Sequence, residues 1–375
     1  MSKLIESWLE TNIGFENAKL GLERISEAIK VFKLKTTAKI ITVAGTNGKG
    51  SVSRLIANSL SKNNTTGLFT SPHLESICER FKFNNTFIDE DVLFLKMKQS
   101  FNELNDKNLK LSFFEFLFFI FYQIAIEKDC EFLVLEVGLG GRFDATNSVN
   151  ADISVVTSIG RDHQDYLGKT YKKILFEKLG IARSGKPLVS AFELKYLNEL
   201  TVKHQAVVGF ERIDVYRVGL DFKKQNELVA KTVCELLGKE FNAVPLDEVV
   251  EFKDSMFHFY GSHNLPAVRK LVQYLKQNVY NNDFDTIFLS FSKRDKKEIN
   301  QMIALYKLLD SEIILSCAGH FKSMDPEAMK KLAKENGFKF ADMDKIFLSP
   351  FKTNVLVSGS NYFIGEFKRA ISRQS

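Results

Sequence analysis

The sequence between residues 39 and 51 reads Lys39-Ile40-Ile41-Thr42-Val43-Ala44-Gly45-Thr46-Asn47-Gly48-Lys49-Gly50-Ser51. It starts as a β-branched apolar run, turns at Gly45, and continues into a helical pattern of apolar residues at Val52, Leu55, Ile56 and Leu60. A glycine-rich turn between a strand and a helix lets backbone N–H groups approach phosphate oxygens. Lys49 adds a mobile positive charge for the β- and γ-phosphates.

This turn differs from the usual Gly-x-x-x-x-Gly-Lys-Ser/Thr phosphate loop, because it is shorter and Gly50 separates Lys49 from Ser51. The alternative interpretation is a purely structural turn between strand and helix. Three glycines, a lysine and a helix-capping serine together favour phosphate binding. We therefore predict that ATP contacts Gly45, Thr46, Asn47, Gly48, Lys49, Gly50 and Ser51.

Two later apolar runs repeat the arrangement. Residues 132–135 end in Glu136, and residues 153–158 are followed shortly by His163. Continuous apolar strands between helical segments indicate a parallel sheet covered on both faces, and ligands bind at the carboxyl ends of its strands. A carboxylate there suits Mg²⁺ beside a triphosphate. Taken alone, Glu136 is more often a surface acid and His163 an ordinary polar residue.

A second α/β unit begins near residue 247. Strands are predicted at residues 257–260, 286–290, 313–316 and 354–358, with helices between them. His263 follows the first of these strands, where it could reach a phosphate or simply start a helix. We predict an α/β fold: a P-loop-type, mostly parallel sheet ATPase domain over residues 1–246, and a smaller Rossmann-like domain over residues 247–375.

Composition narrows the class of protein. The four cysteines lie far apart without a Cys-x-x-Cys pair, which argues against a zinc knuckle and favours a reducing, cytoplasmic compartment. The longest apolar run, residues 116–126, is shorter than the roughly 20 residues of a membrane span. The N-terminus has no secretory pattern. The charge run at residues 293–297 is typical of a solvated face, so neither a membrane nor a nucleic-acid partner is predicted.

Several ordered segments together resemble the folylpolyglutamate synthase and dihydrofolate synthase family, a branch of the Mur ligase superfamily. Besides residues 42–51, they are Thr70-Ser71-Pro72-His73-Leu74, Leu135-Glu136-Val137-Gly138-Leu139-Gly140-Gly141-Arg142, Asp144-Ala145-Thr146-Asn147, Thr157-Ser158-Ile159-Gly160-Arg161-Asp162-His163 and Phe176-Glu177-Lys178-Leu179-Gly180-Ile181. The C-terminal half matches more thinly, through Gly261-Ser262-His263-Asn264, Ser292-Lys293-Arg294-Asp295 and Val357-Ser358-Gly359-Ser360.

The resemblance implies roles that spacing alone does not. Ser71, Glu136 and His163 resemble ligands of one or two Mg²⁺ ions. Lys178 resembles a lysine that reacts with CO₂ to give a carbamate, although without the resemblance it is interpreted as a solvated helix lysine. Lys49, His263 and Lys178 are the implied catalytic residues. ATP would also contact Asn226 and His263, and a pterin would contact Lys19, Leu20, Ser112, Phe114 and Asp144.

The implied activity is ATP-dependent addition of L-glutamate to dihydropteroate, to (tetrahydro)folate (poly)glutamates, or to both, through an acyl phosphate. The resemblance suggests a monomer and leaves a monovalent cation open. Two departures, Asp247 and Tyr260, replace an arginine and an aspartate expected near the nucleoside of ATP, and motivate a nucleotide-binding regulatory protein with a relict site as an alternative. A cell-wall Mur-type ligase is another alternative. Only about 40 residues precede the phosphate loop, too few for a separate UDP-binding domain.

Overall fold

The computed structural model of the protein describes residues 2–14, 19–245, 248–278, 284–320, 322–347 and 354–374. The chain divides into two compact units, residues 1–244 and residues 245–375. Each unit contains one sheet with helices packed against it. The α/β class predicted from the continuous apolar runs is confirmed.

The first unit alternates strands and helices along most of its length. Its strands are β1 Lys39–Ala44, β2 Thr66–Phe69, β3 Phe81–Phe83, β4 Thr86–Phe87, β5 Phe132–Glu136, β6 Ile153–Val156, β7 Pro187–Ser190 and β8 Glu211–Asp214. Its helices are α1 Ser2–Asn12, α2 Glu23–Val31, α3 Lys49–Leu60, α4 Glu90–Asp106, α5 Phe113–Glu127, α6 Gln164–Leu167, α7 Tyr171–Leu179, α8 Lys195–Val208 and α9 Phe222–Leu236, with 3₁₀ turns at Ile77–Arg80 and Ala145–Ser148.

These strands form an eight-stranded sheet in the order β4-β3-β2-β5-β1-β6-β7-β8. The pairs from β2 through β8 are parallel, whereas β3 and β4 extend the sheet in antiparallel fashion. β1 lies between β5 and β6, with Val43 opposite both Glu136 and Val155. The loops that follow β2, β5, β1 and β6 therefore meet at one edge of the sheet, which is where ligands bind in such folds.

The first unit's largest core lies on the face of the sheet covered by α5. This helix is apolar around most of its circumference, and Phe116 to Ala125 are all buried. Phe69 and Phe81 from adjacent strands pack against Phe121 with ring centroids 5.2 and 6.4 Å away. A helix this apolar is stable only when it is enclosed, so the phenylalanine excess of the composition serves the core.

The second unit is a smaller α/β unit. Its strands are β9 Glu248–Phe252, β10 Ser255–Tyr260, β11 Thr286–Ser290, β12 Glu312–Leu315, β13 Lys339–Phe340 and β14 Asn354–Gly359. Its helices are α10 Leu265–Asn278, α11 Lys296–Tyr306, α12 Pro326–Asn336, α13 Met343–Ile346 and α14 Asn361–Ser372, with a 3₁₀ turn at Lys307–Leu309. The sheet order is β13-β12-β11-β14-β10-β9, parallel except for β9.

Among the described residues, no helix is both long and apolar enough to cross a membrane. This includes α5, a helix of 15 residues that is the most apolar of the first unit and is largely buried in the core.

Candidate functional site

The glycine turn after β1 requires glycine for steric reasons. Gly45 has a φ of +152°, and a Cβ there would lie 1.9 Å from Oγ1 of Thr157. Gly48 has a φ of +87° and forms the N-cap of α3 in the left-handed region. An L side chain is strained at both positions. The backbone of this turn therefore approaches its neighbours more closely than any side chain would permit.

The turn is held by hydrogen bonds to the loop after β6. The N–H of Thr46 donates to the carbonyl of Ser158 over 2.8 Å, and the N–H of Asn47 donates to Oγ of Ser158 over 3.0 Å. The Thr46 hydroxyl donates to the carbonyl of Gly160 and accepts from the N–H of the same residue. Two loops far apart in the sequence thus form one rigid surface, as preorganised anion sites require.

Lys49 is the first residue of α3, and its Nζ lies 3.4 Å from the carbonyl oxygen of Thr46. Asn226 on α9 packs against the same turn, since a Cβ at Gly48 would be 2.8 Å from its Oδ1. The prediction that Asn226 contacts ATP stays a prediction. Asn226 does lie beside the phosphate loop.

Glu136 ends β5 and is only 4% exposed. Its Oε2 accepts a hydrogen bond of 3.1 Å from the backbone N–H of Ser71. Burial raises the pKa of this carboxyl group, and the positive charge of Lys49 opposes that rise. The interpretation of Glu136 as an ordinary surface acid is therefore wrong. Ser71 and Glu136, two of the three predicted metal ligands, lie side by side.

The segment after Ser71 is ordered by an acid that the sequence analysis missed. The carboxylate of Glu79 accepts hydrogen bonds of 2.6 to 2.8 Å from the backbone N–H groups of Leu74, Glu75 and Ser76. Next to it, Arg80 is fully buried, and its Nε donates to Nδ1 of His73 over 2.8 Å. The signal in the sequence was the Ser-x-x-Glu capping pattern of Ser76 and Glu79.

Lys178 points into the site from α7 and is 4% exposed. Its Nζ donates to the carbonyl oxygen of Gly45 over 2.8 Å. Burial, with a smaller contribution from the nearby charge of Lys49, lowers its pKa to about 7. The interpretation of Lys178 as a solvated helix lysine is wrong, because α7 packs this side against the sheet edge.

His163 lies at the start of α6 with a φ of +48°. It contributes to a small pocket together with the phosphate loop and Lys178. That pocket is lined by Gly45, Thr46, Lys49, Gly138, Leu139, Gly140, Asp162, His163, Leu167 and Lys178. The structure thus brings most of the predicted phosphate and catalytic residues of the first unit to one place.

The residues predicted to bind a pterin lie in three segments of the first unit. The ring of Phe114 on α5 lies against the chain after β5, since a Cβ at Gly138 would lie 2.7 Å from its Cζ atom. Asp144 is buried, and its oxygens accept hydrogen bonds from Leu139 N–H and from the N–H and hydroxyl of Thr146. Burial raises the pKa of Asp144, and those hydrogen bonds partly oppose the rise.

The other predicted pterin residues differ in their hydrogen bonds and in their exposure to solvent. Ser112 is the N-cap of α5, and its N–H donates to Glu115 over 2.8 Å. Glu115 also accepts from Nε of Arg24 over 3.0 Å. Lys19 and Leu20 are exposed, and the carbonyl of Lys19 lies 3.3 Å from the Arg24 guanidinium. The Arg24–Glu115 pair therefore links the segment at residues 19–24 to the start of α5.

His263 belongs to the second unit, where its backbone N–H donates to the carbonyl of Gly261 over 3.1 Å. Tyr260, one of the two departures, is the last residue of β10. Asp247, the other, lies outside the described residues. In the described parts of the chain, no group of three or more histidine, cysteine or acidic residues is arranged to hold a metal. The predicted metal ligands, Ser71, Glu136 and His163, include only one acidic residue and one histidine, so they would not form such a group.

The chain matches one family model and several relatives that share a printed name. The family model of the Mur ligase middle domain matches residues 43–266. A dihydrofolate synthase/folylpolyglutamate synthase of Escherichia coli is 38% identical over 191 residues, which cover 49% of this chain and 44% of that relative. The chain thus spans less than half the length of this relative.

A second relative extends over nearly the whole chain. The dihydrofolate synthase/folylpolyglutamate synthase of Bacillus subtilis is 28% identical, across 97% of this chain and 98% of its own length. Among solved structures, a bifunctional folylpolyglutamate synthase/dihydrofolate synthase of Yersinia pestis, complexed with AMPPNP and a Mn ion, has a TM-score of 0.82. It is 24% identical and covers 98% of both chains, so it shows a shared fold.

Proposed function

The chain belongs to the Mur ligase family, and from this membership we propose that it is an ATP-dependent ligase that joins L-glutamate to a folate-type acid. The acceptors are dihydropteroate and (tetrahydro)folate (poly)glutamates, as in a bifunctional dihydrofolate synthase/folylpolyglutamate synthase. The observation that carries the proposal is the glycine turn, which packs against Lys178 and lies beside Glu136 and Ser71. The printed names of the E. coli and B. subtilis relatives support the substrate class.

The chemistry follows from the charge carried by the reactants. A carboxylate is a poor acyl donor because oxide is a poor leaving group, so the acceptor carboxylate first attacks the γ-phosphorus of ATP and releases ADP. The α-amine of L-glutamate then attacks the carbonyl carbon of the resulting acyl phosphate. The amide forms, inorganic phosphate leaves, and the amine gives up a proton. Lys49 and the backbone N–H groups of the glycine turn stabilise negative charge on the transferring phosphoryl group.

The residues present fit a divalent cation. Glu136 is a buried carboxylate whose raised pKa reflects the cost of its charge in that position, and a cation beside it would offset that cost. Oxygen ligands from one carboxylate and the Ser71 hydroxyl leave positions for water and phosphate, as Mg²⁺ prefers, and His163 is the remaining ligand proposed. The ion would supply charge neutralisation at the phosphates. The Mn ion and AMPPNP of the Y. pestis structure support this assignment.

Lys178 has the property that carbamate formation requires. A neutral amine adds to the carbon of CO₂ and then loses one proton, and a pKa of about 7 leaves much of this amine neutral near neutral pH. The carbamate would turn a positive side chain into an anionic ligand beside Lys49. We include the carbamate, a second Mg²⁺ and a monovalent cation in the proposal.

The remaining assignments follow from position. Phe114, Ser112, Asp144, Lys19 and Leu20 would form the pterin-binding part of the first unit. His263, in the second unit, is the remaining residue proposed to contact ATP. All four cysteines are free thiols, which accords with a cytoplasmic location, and we propose a monomer that acts on small molecules.

The test is a coupled assay of ADP release with ATP, Mg²⁺, L-glutamate and each acceptor in turn. We expect ADP release to depend on both acceptor and glutamate, and to fall at least about 100-fold in Lys49→Ala and Glu136→Gln. Lys39→Ala is the matched control, because this exposed lysine lies at the opposite end of β1. ATP binding without acceptor-dependent ADP release would instead identify a regulatory protein. Activity on a UDP-sugar peptide would identify a cell-wall ligase.

A further inference from the structure

Three contacts join the three segments that are predicted to bind a pterin. The first joins α5 to the chain after β5, where the Cζ atom of Phe114 would lie 2.7 Å from a Cβ at Gly138. The second joins the segment at residues 19–24 to the same chain, because the N–H of Gly21 donates to the carbonyl of Phe143 over 3.1 Å. The third joins residues 19–24 to α5 through an ion pair. Each segment therefore contacts the other two.

The ion pair is formed by Arg24, the second residue of α2, and Glu115, in the first turn of α5. Nε of Arg24 donates to Oε2 of Glu115 over 3.0 Å. Nη2 of the same guanidinium donates to the carbonyl of Lys19 over 3.3 Å. One planar side chain thus holds a predicted pterin residue of its own segment and the start of α5 at the same time.

Glu115 is a strong partner because it is buried. It is 2% exposed, and its Oε2 also accepts a hydrogen bond of 2.8 Å from the backbone N–H of Ser112. In the described ranges of the chain, its Oε1 has no hydrogen-bond partner and Arg24 is its only ion-pair partner. Hydrogen bonds between charged groups are stronger than neutral ones. Removing Arg24 would therefore leave a buried charge without a cation.

The segment that Arg24 holds lies largely at the surface. Lys19 and Leu20 are exposed, and the hydrogen bond from Gly21 fixes the segment at one point. A chain held at one point can still rotate about it, and a second contact removes that conformational freedom. The Arg24–Glu115 pair provides the second contact.

We propose that Arg24 is a positioning residue: through its ion pair with Glu115, it holds residues 19–21 in place against the start of α5 and so preorganises the pterin-binding part of the first unit. The predicted pterin residues on these two segments are Lys19, Leu20, Ser112 and Phe114. The inference rests on the proposed function and adds a residue that acts through others. A site that is already ordered loses less free energy to the ordering of its own chain when the substrate binds.

This role predicts the same effect on both acceptors. Dihydropteroate and tetrahydrofolate each carry a pterin, and they differ at the opposite end of the molecule, where the reacting carboxylate lies. Loss of Arg24 should therefore weaken the binding of both acceptors equally and leave the binding of ATP unchanged. Losing an interaction that is equally strong in the ground state and the transition state raises KM without changing kcat.

The experiment measures steady-state ADP release by the full chain with dihydropteroate and with tetrahydrofolate, in wild type, Arg24→Met and Arg24→Lys. For Arg24→Met we expect the KM for each acceptor to rise about 10-fold, which is the usual effect of losing a charged hydrogen bond. The kcat and the KM for ATP should change less than about two-fold. Arg24→Lys keeps the charge without the planar fork and should recover part of the affinity. The Kd for dihydropteroate, measured by equilibrium dialysis, should rise by the same factor as its KM.

A double variant separates positioning from stability. Arg24→Met alone should lower the thermal midpoint, because the Glu115 charge stays buried without a cation. Adding Glu115→Gln removes that charge and keeps an oxygen that accepts from the Ser112 N–H, so the midpoint should partly recover. The KM for both acceptors should stay about 10-fold raised, because the charged contact between the two segments is still missing. KM values that recover together with the midpoint would show that Arg24 serves stability alone and would overturn the inference.

Arg212→Met is the matched control, because Arg212 also forms an ion pair, of 2.8 Å with Asp214, but on β8 at one edge of the sheet. It should leave every KM unchanged. An active wild type whose KM and Kd values do not change in Arg24→Met overturns the inference alone, and so does a rise in the KM for ATP equal to that for the acceptors. A wild type that binds no dihydropteroate and releases no ADP with either acceptor refutes the proposed function and the inference together.

Discussion

Replacing Lys178 by methionine should reveal how costly its positive charge is inside the folded protein. Its pKa falls from an ordinary value of 10.5 to about 7, chiefly because it is buried. Between these two values the unfolded chain binds a proton that the folded chain does not, so the free energy of unfolding rises with pH. Below pH 7 both states are protonated, and Lys178 adds no further pH dependence.

The size of the effect follows from the shift. Each pH unit well inside the range from 7 to 10.5 contributes about 1.4 kcal/mol. Because the folded amine is half protonated at pH 7, Lys178 should make the wild type about 2.3 kcal/mol more stable at pH 9 than at pH 7. Methionine has no titratable group. The difference in the free energy of unfolding between Lys178→Met and wild type should therefore change by that amount, in favour of the wild type, from pH 7 to pH 9. Losing the hydrogen bond to the carbonyl of Gly45 adds an offset that does not depend on pH.

The measurement is urea unfolding of both proteins from pH 6 to pH 9 in CO₂-free buffer. Lys186→Met serves as control, because this lysine is 47% exposed and forms a surface ion pair with Asp152. Its stability difference from wild type should stay constant over the same range. A constant difference for Lys178→Met as well would refute the conclusion that the Lys178 amine loses its proton near pH 7 in the folded protein.

Three further substitutions test other parts of the site. Gly45→Ala should lower the free energy of unfolding by about 2–4 kcal/mol in a thermal melt, because the new Cβ would overlap the Thr157 hydroxyl. Gly185→Ala is its control. No atom lies within 4 Å of the added Cβ, so this change should cost only about 1 kcal/mol of backbone strain. Glu79→Ala leaves three backbone N–H groups without their acceptor and should cost about 2 kcal/mol, as measured by urea unfolding. Phe114→Leu should raise the KM for dihydropteroate several-fold, and an unchanged KM would place the pterin elsewhere.

The parallel sheets are predictable because their strands are continuous apolar runs. The predicted bounds 39–44 and 286–290 are those of β1 and β11. The edge strands β4 and β8 carry no such run, since their residues are largely exposed, and the sequence does not indicate them. The predicted start of α3 near Ser51 is two residues late, because Gly48 caps the helix through a left-handed conformation that sequence does not display.

The candidate site is less predictable, because its contacts join residues that are distant in the sequence. The type of residue indicates that Glu136 and Lys178 can perform chemistry, but not that they are buried. That property comes from β5 and α7 packing at the sheet edge. The role of Glu79 as an acceptor for three backbone N–H groups depends on a loop conformation.

The distance along the chain between the glycine turn and its partner has a consequence for synthesis. The hydrogen bond from Lys178 to Gly45 joins residues 133 positions apart. At about 5–20 residues per second, a ribosome needs roughly 7–27 s to make the intervening chain. During that time the nascent protein contains the turn but lacks the lysine that contacts it. Affinity for ATP should therefore appear late in translation, after α7 has left the ribosome and docked.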